Sequence, residues 1–228
     1  AIMGGNDVLL RPLNIEASMN SIINAAKNDK NVNDRVEESC KKILRYKYTL
    51  GLNNYEQQKA EKLQNDLNQN RYYVLKQRMY NEAVKMLENK KELLPLKKDS
   101  SKKIAVVTLG KDNSVSQKLR ENGIDNKAFL INVNASDEEI KRTAKQMKSY
   151  DYVILNIRNT SSYPSKNYGI TPAMLNFVKK LPNSTKLIFN LFGSPYAVDK
   201  FEFGRNLHSL LVGYEDNEMV ANAMVDII

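Results

Sequence analysis

Lys103-Ile104-Ala105-Val106-Val107-Thr108-Leu109-Gly110 is an apolar run of strand length that ends on a glycine. A strand apolar at nearly every position is one covered on both faces. Working outward, runs of the same kind recur at Ala128 to Val133, Tyr152 to Ile157, Lys186 to Gly193 and Ser209 to Tyr214. The stretches between them carry helical spacing. Val115 and Leu119 mark one helix, and Ile140, Ala144 and Met147 the face of another behind the capping box Ser136-Asp137-Glu138-Glu139. Thr171-Pro172 is an N-cap with proline at the first helical position, opening a helix that runs to Pro182. A last helix covers Glu218 to Ile228. Alternating strands and helices predict an α/β fold, a three-layer αβα domain over 101–228 with a mostly parallel sheet and right-handed crossovers. The stretch from Ser194 to Leu207 leaves room for a crossover with at most a short helix. Strand order does not follow from these signals.

Upstream, residues 53–100 read as a helical connection. Tyr55, Ala60, Leu63 and Leu67 form a thin apolar stripe within a polar run from Asn53 to Arg71. Leu75, Met79, Ala83, Met86 and Leu87 predict a stronger helix. It gives way to Glu88-Asn89-Lys90-Lys91-Glu92-Leu93-Leu94-Pro95-Leu96, and Lys97 to Lys103 form a polar boundary. Residues 1–52 begin with Gly4-Gly5-Asn6-Asp7-Val8-Leu9-Leu10-Arg11-Pro12, a short apolar run that reads as a buried strand stopped by proline. Ile15, Met19, Ile22, Ile23 and Ala26 then predict a helix, broken at Asn28-Asp29-Lys30-Asn31. A second helix carries Val36, Cys40, Ile43, Leu44 and Tyr48 on one side, with Asp34 and Glu37 placed as a capping box and Gly51 as its left-handed stop.

A chain of 228 residues suffices for one large or two small domains. No apolar run approaches the roughly 20 residues that span a bilayer. The start shows no signal-peptide pattern and falls in mid-motif at Ala1, so processed or engineered ends are expected. Cys40, the one cysteine, excludes an intramolecular disulfide and a thiolate metal cluster, and its helix face predicts a buried, inert thiol. His208, the one histidine, lies inside an apolar strand run, where a structural residue is expected rather than a base. The net charge of +9 is spread over both halves without a nucleic-acid motif, so solvated lysine faces explain it. Gly110 alone makes no phosphate loop. The strand ends Thr108-Leu109-Gly110 and Asn156-Ile157-Arg158 also lack the acids of a receiver domain. No cofactor and no metal site is predicted.

Several of these pieces fall in a known order. The Asp7 strand, Arg35-Val36-Glu37-Glu38-Ser39 with Ile43-Leu44 and Lys47, and Leu50-Gly51-Leu52 resemble the close of the barrel domain in glycoside hydrolase family 3. Asn89 with Leu94-Pro95-Leu96 is similar to the segment before that family's second domain. Phe192-Gly193-Ser194-Pro195-Tyr196 and Tyr214-Glu215 resemble motifs of its C-terminal α/β domain. The resemblance implies the last strand and helices of a (β/α) barrel at 1–52, then the helical connection, then the αβα domain, with a further element of the sheet expected after Ile228. It implies a parent enzyme that hydrolyses β-linked amino-sugar glycosides, in the β-N-acetylhexosaminidase branch. The nucleophilic aspartate and the histidine–aspartate acid/base pair lie upstream of these residues in the family, so no catalytic residue is expected here. The alternative is a non-catalytic interaction or scaffold module.

In the resemblance Asp7 sits at the stability end of its strand and Arg11 at the catalytic end, where it is placed as a candidate substrate-binding residue. The Phe192 to Tyr196 motif is expected to serve packing. The implied partner is a carbohydrate, met through the absent part of the barrel, with no nucleic acid. An orphan strand at 4–10 is expected to pair with a second copy or to fold back on the second domain. An exported or periplasmic parent is the expectation for compartment.

Overall fold

The computed structural model describes residues 1–57, 60–97, 99 and 101–228. Parts of the polar run 53–71 and of the polar boundary 97–103 thus lie outside the described residues. The chain divides into two compact units, Ala1–Asp66 and Leu67–Ile228.

In the first unit, α1 (Ile15–Asn28) is capped by the Asn14 side chain, which accepts from the Ala17 N–H at 2.9 Å. α2 (Lys30–Thr49) follows after a single extended residue, Asp29, whose carboxylate accepts from the Asn31 N–H at 2.8 Å. The predicted Asp34 cap is therefore corrected. Asp34 lies one turn inside α2 and pairs with Lys30 at 2.7 Å, an i,i+4 contact that lets the helix start earlier. Leu50 and Gly51, at φ 75°, close α2 as expected. α3 (Ala60–Leu67) lies at the unit boundary.

The strand predicted at 4–10 does not form. A 3-10 turn covers Ile2–Gly4, and among the described residues the chain from Gly5 to Asn14 has no ladder partner. A strand is defined by neighbours that satisfy its N–H and C=O groups, and none is supplied there. The backbone instead turns through left-handed conformations at Gly5 and Arg11. The expected pairing of an orphan strand thus has no strand to act through. Cys40 is a second correction: it is exposed rather than buried.

In the second unit, α4 (Asn70–Ala83) ends at Val84, and Lys85–Asn89 is β1. The helix predicted through Leu87 is corrected by this strand. Met86 and Leu87 keep helical spacing with Met79 and Ala83, but β1 draws its bonds from β6, which lies far along the chain at Leu207–Val212. The remaining elements follow the predicted alternation: β2 (Ile104–Leu109), α5 (Ser114–Glu121), β3 (Lys127–Ile131), α6 (Asp137–Gln146), β4 (Tyr152–Ile157), α7 (Pro172–Lys180), β5 (Lys186–Leu191), β6 (Leu207–Val212) and α8 (Glu218–Ile227). The Ser136 cap accepts from the Glu139 N–H at 3.2 Å, and Thr171 caps α7. A 3-10 segment, Pro195–Lys200, occupies the short crossover.

Among the described residues the sheet has six strands in the order β1-β6-β5-β4-β2-β3, all parallel except β1. Alternate residues feed two cores. Val107, Leu155 and Phe189 pack with α6 and α7; Val106, Ile154 and Ile188 pack with α5 and α8. The result is the predicted three-layer αβα domain. Its first and last pieces meet: α4 packs along α8, and the Leu96 N–H donates to the Ile228 carbonyl at 2.5 Å. Asn89 stitches β1 into place. Its side-chain carbonyl accepts from the Leu94 N–H at 3.0 Å and the Ser209 hydroxyl at 3.1 Å, while its amide donates to the Leu94 carbonyl at 3.0 Å.

Candidate functional site

In an open parallel sheet, ligands bind outside the carboxyl ends of the strands, at the point where the winding reverses. Here β2 is followed outward by β3, whereas β4, β5 and β6 run the other way, so the reversal lies between β2 and β4. At that point Gly110 follows β2 and Arg158 follows β4. A Cβ on Gly110 would stand 2.7 Å from the Arg158 Cβ, so only glycine lets the two strand ends approach.

Arg158 is almost wholly buried. Its Nε and Nη2 both donate to Asp216 Oδ1 at 2.8 Å, and Nη1 donates to Asp112 Oδ1 and, at 2.8 Å, to the Ser114 hydroxyl. The guanidinium also lies 4.8 Å from the Phe192 ring centroid. The Asn159 N–H takes the second Asp216 oxygen at 2.7 Å, and Lys111 approaches Asp216 at 3.5 Å. Burial pushes the Asp112 carboxyl up, but hydrogen bonds from the Ser114 side chain and backbone, with the charges of Arg158 and Lys111, outweigh it and hold the group below its usual range. Three loops, after β2, β4 and β6, are thereby tied to one cation. A cavity of about 560 Å³ opens beside it, walled by Lys111, Gln117, Lys118, Glu121 and Glu218. Its acidic and basic walls, and an Arg158 already engaged by two carboxylates, do not form an anion cradle.

Beneath Arg158 runs a buried polar rung across three strands. Asn190 donates to Asn156 at 2.9 Å, and Asn156 donates to Thr108 at 3.3 Å. The motif residues cluster at the same end of the sheet. Phe192 is buried, and the Thr160 hydroxyl donates to its carbonyl at 2.5 Å. A Cβ on Gly193 would fall 2.3 Å from that hydroxyl oxygen, so this glycine is required by close approach. Tyr196 departs from the packing role expected of it: it is 72% exposed and stacks on Tyr168 at 6.5 Å. Tyr214, in a left-handed conformation, is half exposed. Glu215 accepts from the Tyr80 hydroxyl at 2.6 Å and from the Asn217 amide at 2.9 Å, fixing α4 to the loop after β6. The hydrogen bond to Glu215 raises the Tyr80 phenol above its ordinary value.

In the first unit, Asp7 is a joint. Arg35 and Ser39 both donate to Asp7 Oδ1 at 3.0 Å, and Lys42 donates to Oδ2 at 2.6 Å. These bonds, that of Lys42 foremost, hold the carboxyl down to about 2. Arg11 is exposed beside an apolar groove of about 630 Å³ whose walls include Leu9, Met19 and Cys40. His208 lies within β6, with Nδ1 2.7 Å from the Asn206 carbonyl oxygen. Among the described residues, no three metal-ligating side chains converge and no helix is long and apolar enough to cross a membrane. The Arg158 cluster and the Tyr168–Tyr196 pair were not foreseen from the sequence. Their partners lie far apart in the chain, and only the position of Arg158 at a strand end signals the cluster.

The fold built in this way is one carried by enzymes of glycoside hydrolase family 3. No family model matches the chain and no curated protein matches it; solved structures do. A glycoside hydrolase family 3 beta-N-acetylglucosaminidase from Paenibacillus sp. str. FPU-7 superposes with a TM-score of 0.57 at 16% identity, over 84% of this chain and 36% of its own. A beta-glucoside phosphorylase matches 99% of this chain and 41% of its own at a TM-score of 0.63 and 17% identity. A beta-glucosidase from Listeria innocua, in complex with isofagomine, matches 91% and 32% at 0.59 and 19%. The chain thus spans about a third to two fifths of the length of these three structures, and at these identities the likeness is one of fold.

Proposed function

We propose that the chain is the C-terminal portion of a family 3 glycoside hydrolase whose parent cleaves terminal β-linked amino-sugar glycosides, N-acetylglucosaminides in particular. The observation that carries this reading is where the motif residues fall within a fold shared with such enzymes. Asp7, Arg35 and Ser39 form one joint, while Phe192, Gly193 and Glu215 hold the strand-end loops. Motif residues thus tie helices and loops together in each of the two units.

Hydrolysis needs a nucleophile and a proton donor; in retaining enzymes with two carboxyl groups these lie about 5–5.5 Å apart. In this reading both come from the parent's upstream barrel. The carboxylates gathered here, Asp112 and Asp216, are engaged by Arg158. Arg11, exposed at its groove, is the residue of this chain assigned a contact with the sugar. An interaction or scaffold module is the second reading, favoured by the self-neutralised Arg158 cluster.

Assays separate the two. The 228-residue chain is expected not to release chromophore from a nitrophenyl N-acetyl-β-glucosaminide, whereas the parent enzyme is expected to do so in preference to the β-glucoside. Turnover by the chain that a point change within it abolishes would refute the division of labour. A parent preferring the glucoside would refute the amino-sugar assignment, and an inactive parent would leave the scaffold reading.

A further inference from the structure

Asn122-Gly123 is the one Asn–Gly pair in the chain. An asparagine side-chain amide is open to attack by the backbone nitrogen of the residue that follows. Glycine, having no Cβ, hinders that attack least. The pair closes α5: Asn122 is its exposed C-cap, and Gly123 follows in a left-handed conformation at φ 81°. The Gly123 N–H donates to the Arg120 carbonyl and the Ile124 N–H to the Leu119 carbonyl, both at 2.9 Å. These are the two bonds of a Schellman motif, and Leu119 and Ile124 belong to the same apolar core, as that motif favours. The loop beyond is held as well. The Asn126 side chain accepts from the buried Ser116 hydroxyl at 2.6 Å and donates to the Ser116 and Ile124 carbonyls at 3.1 and 3.0 Å. At ψ 6° the Gly123 nitrogen eclipses the backbone nitrogen of Asn122 and is turned away from its Cβ. A reactive pair is therefore open to water while its attacking nitrogen is engaged and misdirected.

We propose that Asn122 is a site of spontaneous deamidation, gated by opening of the turn that ends α5. When the turn opens, the Gly123 nitrogen gives its proton to hydroxide and attacks the side-chain carbonyl carbon of Asn122. The new C–N bond closes a five-membered succinimide. The bond from that carbon to Nδ2 breaks, and the nitrogen leaves as ammonia after taking a proton from solvent. Water then opens the ring at one of its two carbonyl carbons. One route leaves aspartate; the other leaves isoaspartate, with the main chain rerouted through the side chain. The net change consumes one water and releases one ammonia, with no oxidation or reduction. The carboxylate that results adds a negative charge at a helix C-terminus, which opposes the helix dipole, in a groove shared with Glu121 and Asp226. Isoaspartate also lengthens the main chain by a methylene and carries the Gly123 and Ile124 N–H groups off the Arg120 and Leu119 carbonyls. Modification thus holds open the turn that had delayed it. This chemistry draws on no part of the hydrolase reading.

The test incubates the 228-residue chain at mildly alkaline pH beside a synthetic peptide of residues 120–125, and follows Asn122 by peptide mapping with isoaspartate detection. Conversion in the folded chain should be at least about tenfold slower than in the peptide. The Gly123 amide should exchange more slowly than in the peptide by the same factor, to within about threefold, because both reactions wait on one opening. Urea that unfolds the chain should restore the peptide's rate of conversion. Asn126→Ala, which releases the Ile124 carbonyl, should speed conversion and Gly123 exchange together. If that variant does not fold, urea below the unfolding transition takes its place, and the two rates should rise in proportion. Conversion of the folded chain at the peptide's rate would remove the gate, and no conversion even in urea would remove the site. A slowing out of step with Gly123 exchange would show that this turn is not what protects Asn122, and so would overturn the gating.

Discussion

Arg158 places a full positive charge at the end of β4 with only 3% of its side chain exposed, and two carboxylates from loops 46 and 58 residues away neutralise it. Removing one member of a buried ion set leaves the others desolvated and unpaired, at a cost on the order of 3–5 kcal/mol. Asp112 is 44% exposed and can recover water, so Arg158→Leu belongs at the lower end, about 3 kcal/mol, read from urea denaturation. A loss under about 1 kcal/mol would show that the cluster is not the joint described here. Asp7 makes a different prediction. Its folded value, about 2, lies below the ordinary 3.8, so the folded form binds that proton less readily than the unfolded chain does. The resulting stability is whole above about pH 4 and disappears as pH falls towards 2. Carboxyl NMR should place the Asp7 midpoint near 2, and Asp7→Asn should remove that part of the pH dependence of the helical signal that Asp7 supplies across the window. A midpoint at the ordinary value would remove Lys42, Arg35 and Ser39 as its partners in solution.

At the scale of elements, β2, β4, β5 and β6 were legible because burial on both faces writes a continuous apolar run. The caps at Ser136 and Thr171 were legible because a capping residue acts within three positions. β1 was not. Lys85-Met86-Leu87-Glu88-Asn89 extends the helical spacing of α4, and its strand character comes only from pairing with β6. The strand predicted at 4–10 failed for the converse reason: its composition suits a strand, but no neighbour completes it. Pairing partners are properties of the fold, so local composition can neither reveal β1 nor guarantee residues 4–10. The candidate site divides in the same way. The Phe192 to Tyr196 motif stands in the sequence as a unit, whereas Asp112, Arg158 and Asp216 meet only in three dimensions. Asn89 tests how β1 is held. Asn89→Ala deletes two accepted bonds and one donated bond at a part-buried site, and should cost about 1–3 kcal/mol in chemical denaturation. An unchanged midpoint would mean that β1 is held by its ladder alone.

At the scale of the whole molecule, the two units differ sharply in what they bury. Among the described residues of 1–66, Ser39 is the buried one and no apolar side chain joins it, whereas β2, β4, β5 and β6 of the second unit are buried along almost their whole length. Local opening follows buried contacts. Amide exchange should therefore be fast in α1 and α2, within minutes at neutral pH, and slower by at least about a hundredfold in β2, β4 and β5. Equal protection in both units would show that something in solution covers the first.

The seam where β1 lies against β6, and where Leu96 meets Ile228, joins stretches more than a hundred residues apart in the chain. Closing so long a loop is slow, so this edge of the sheet should be among the last parts to order during refolding.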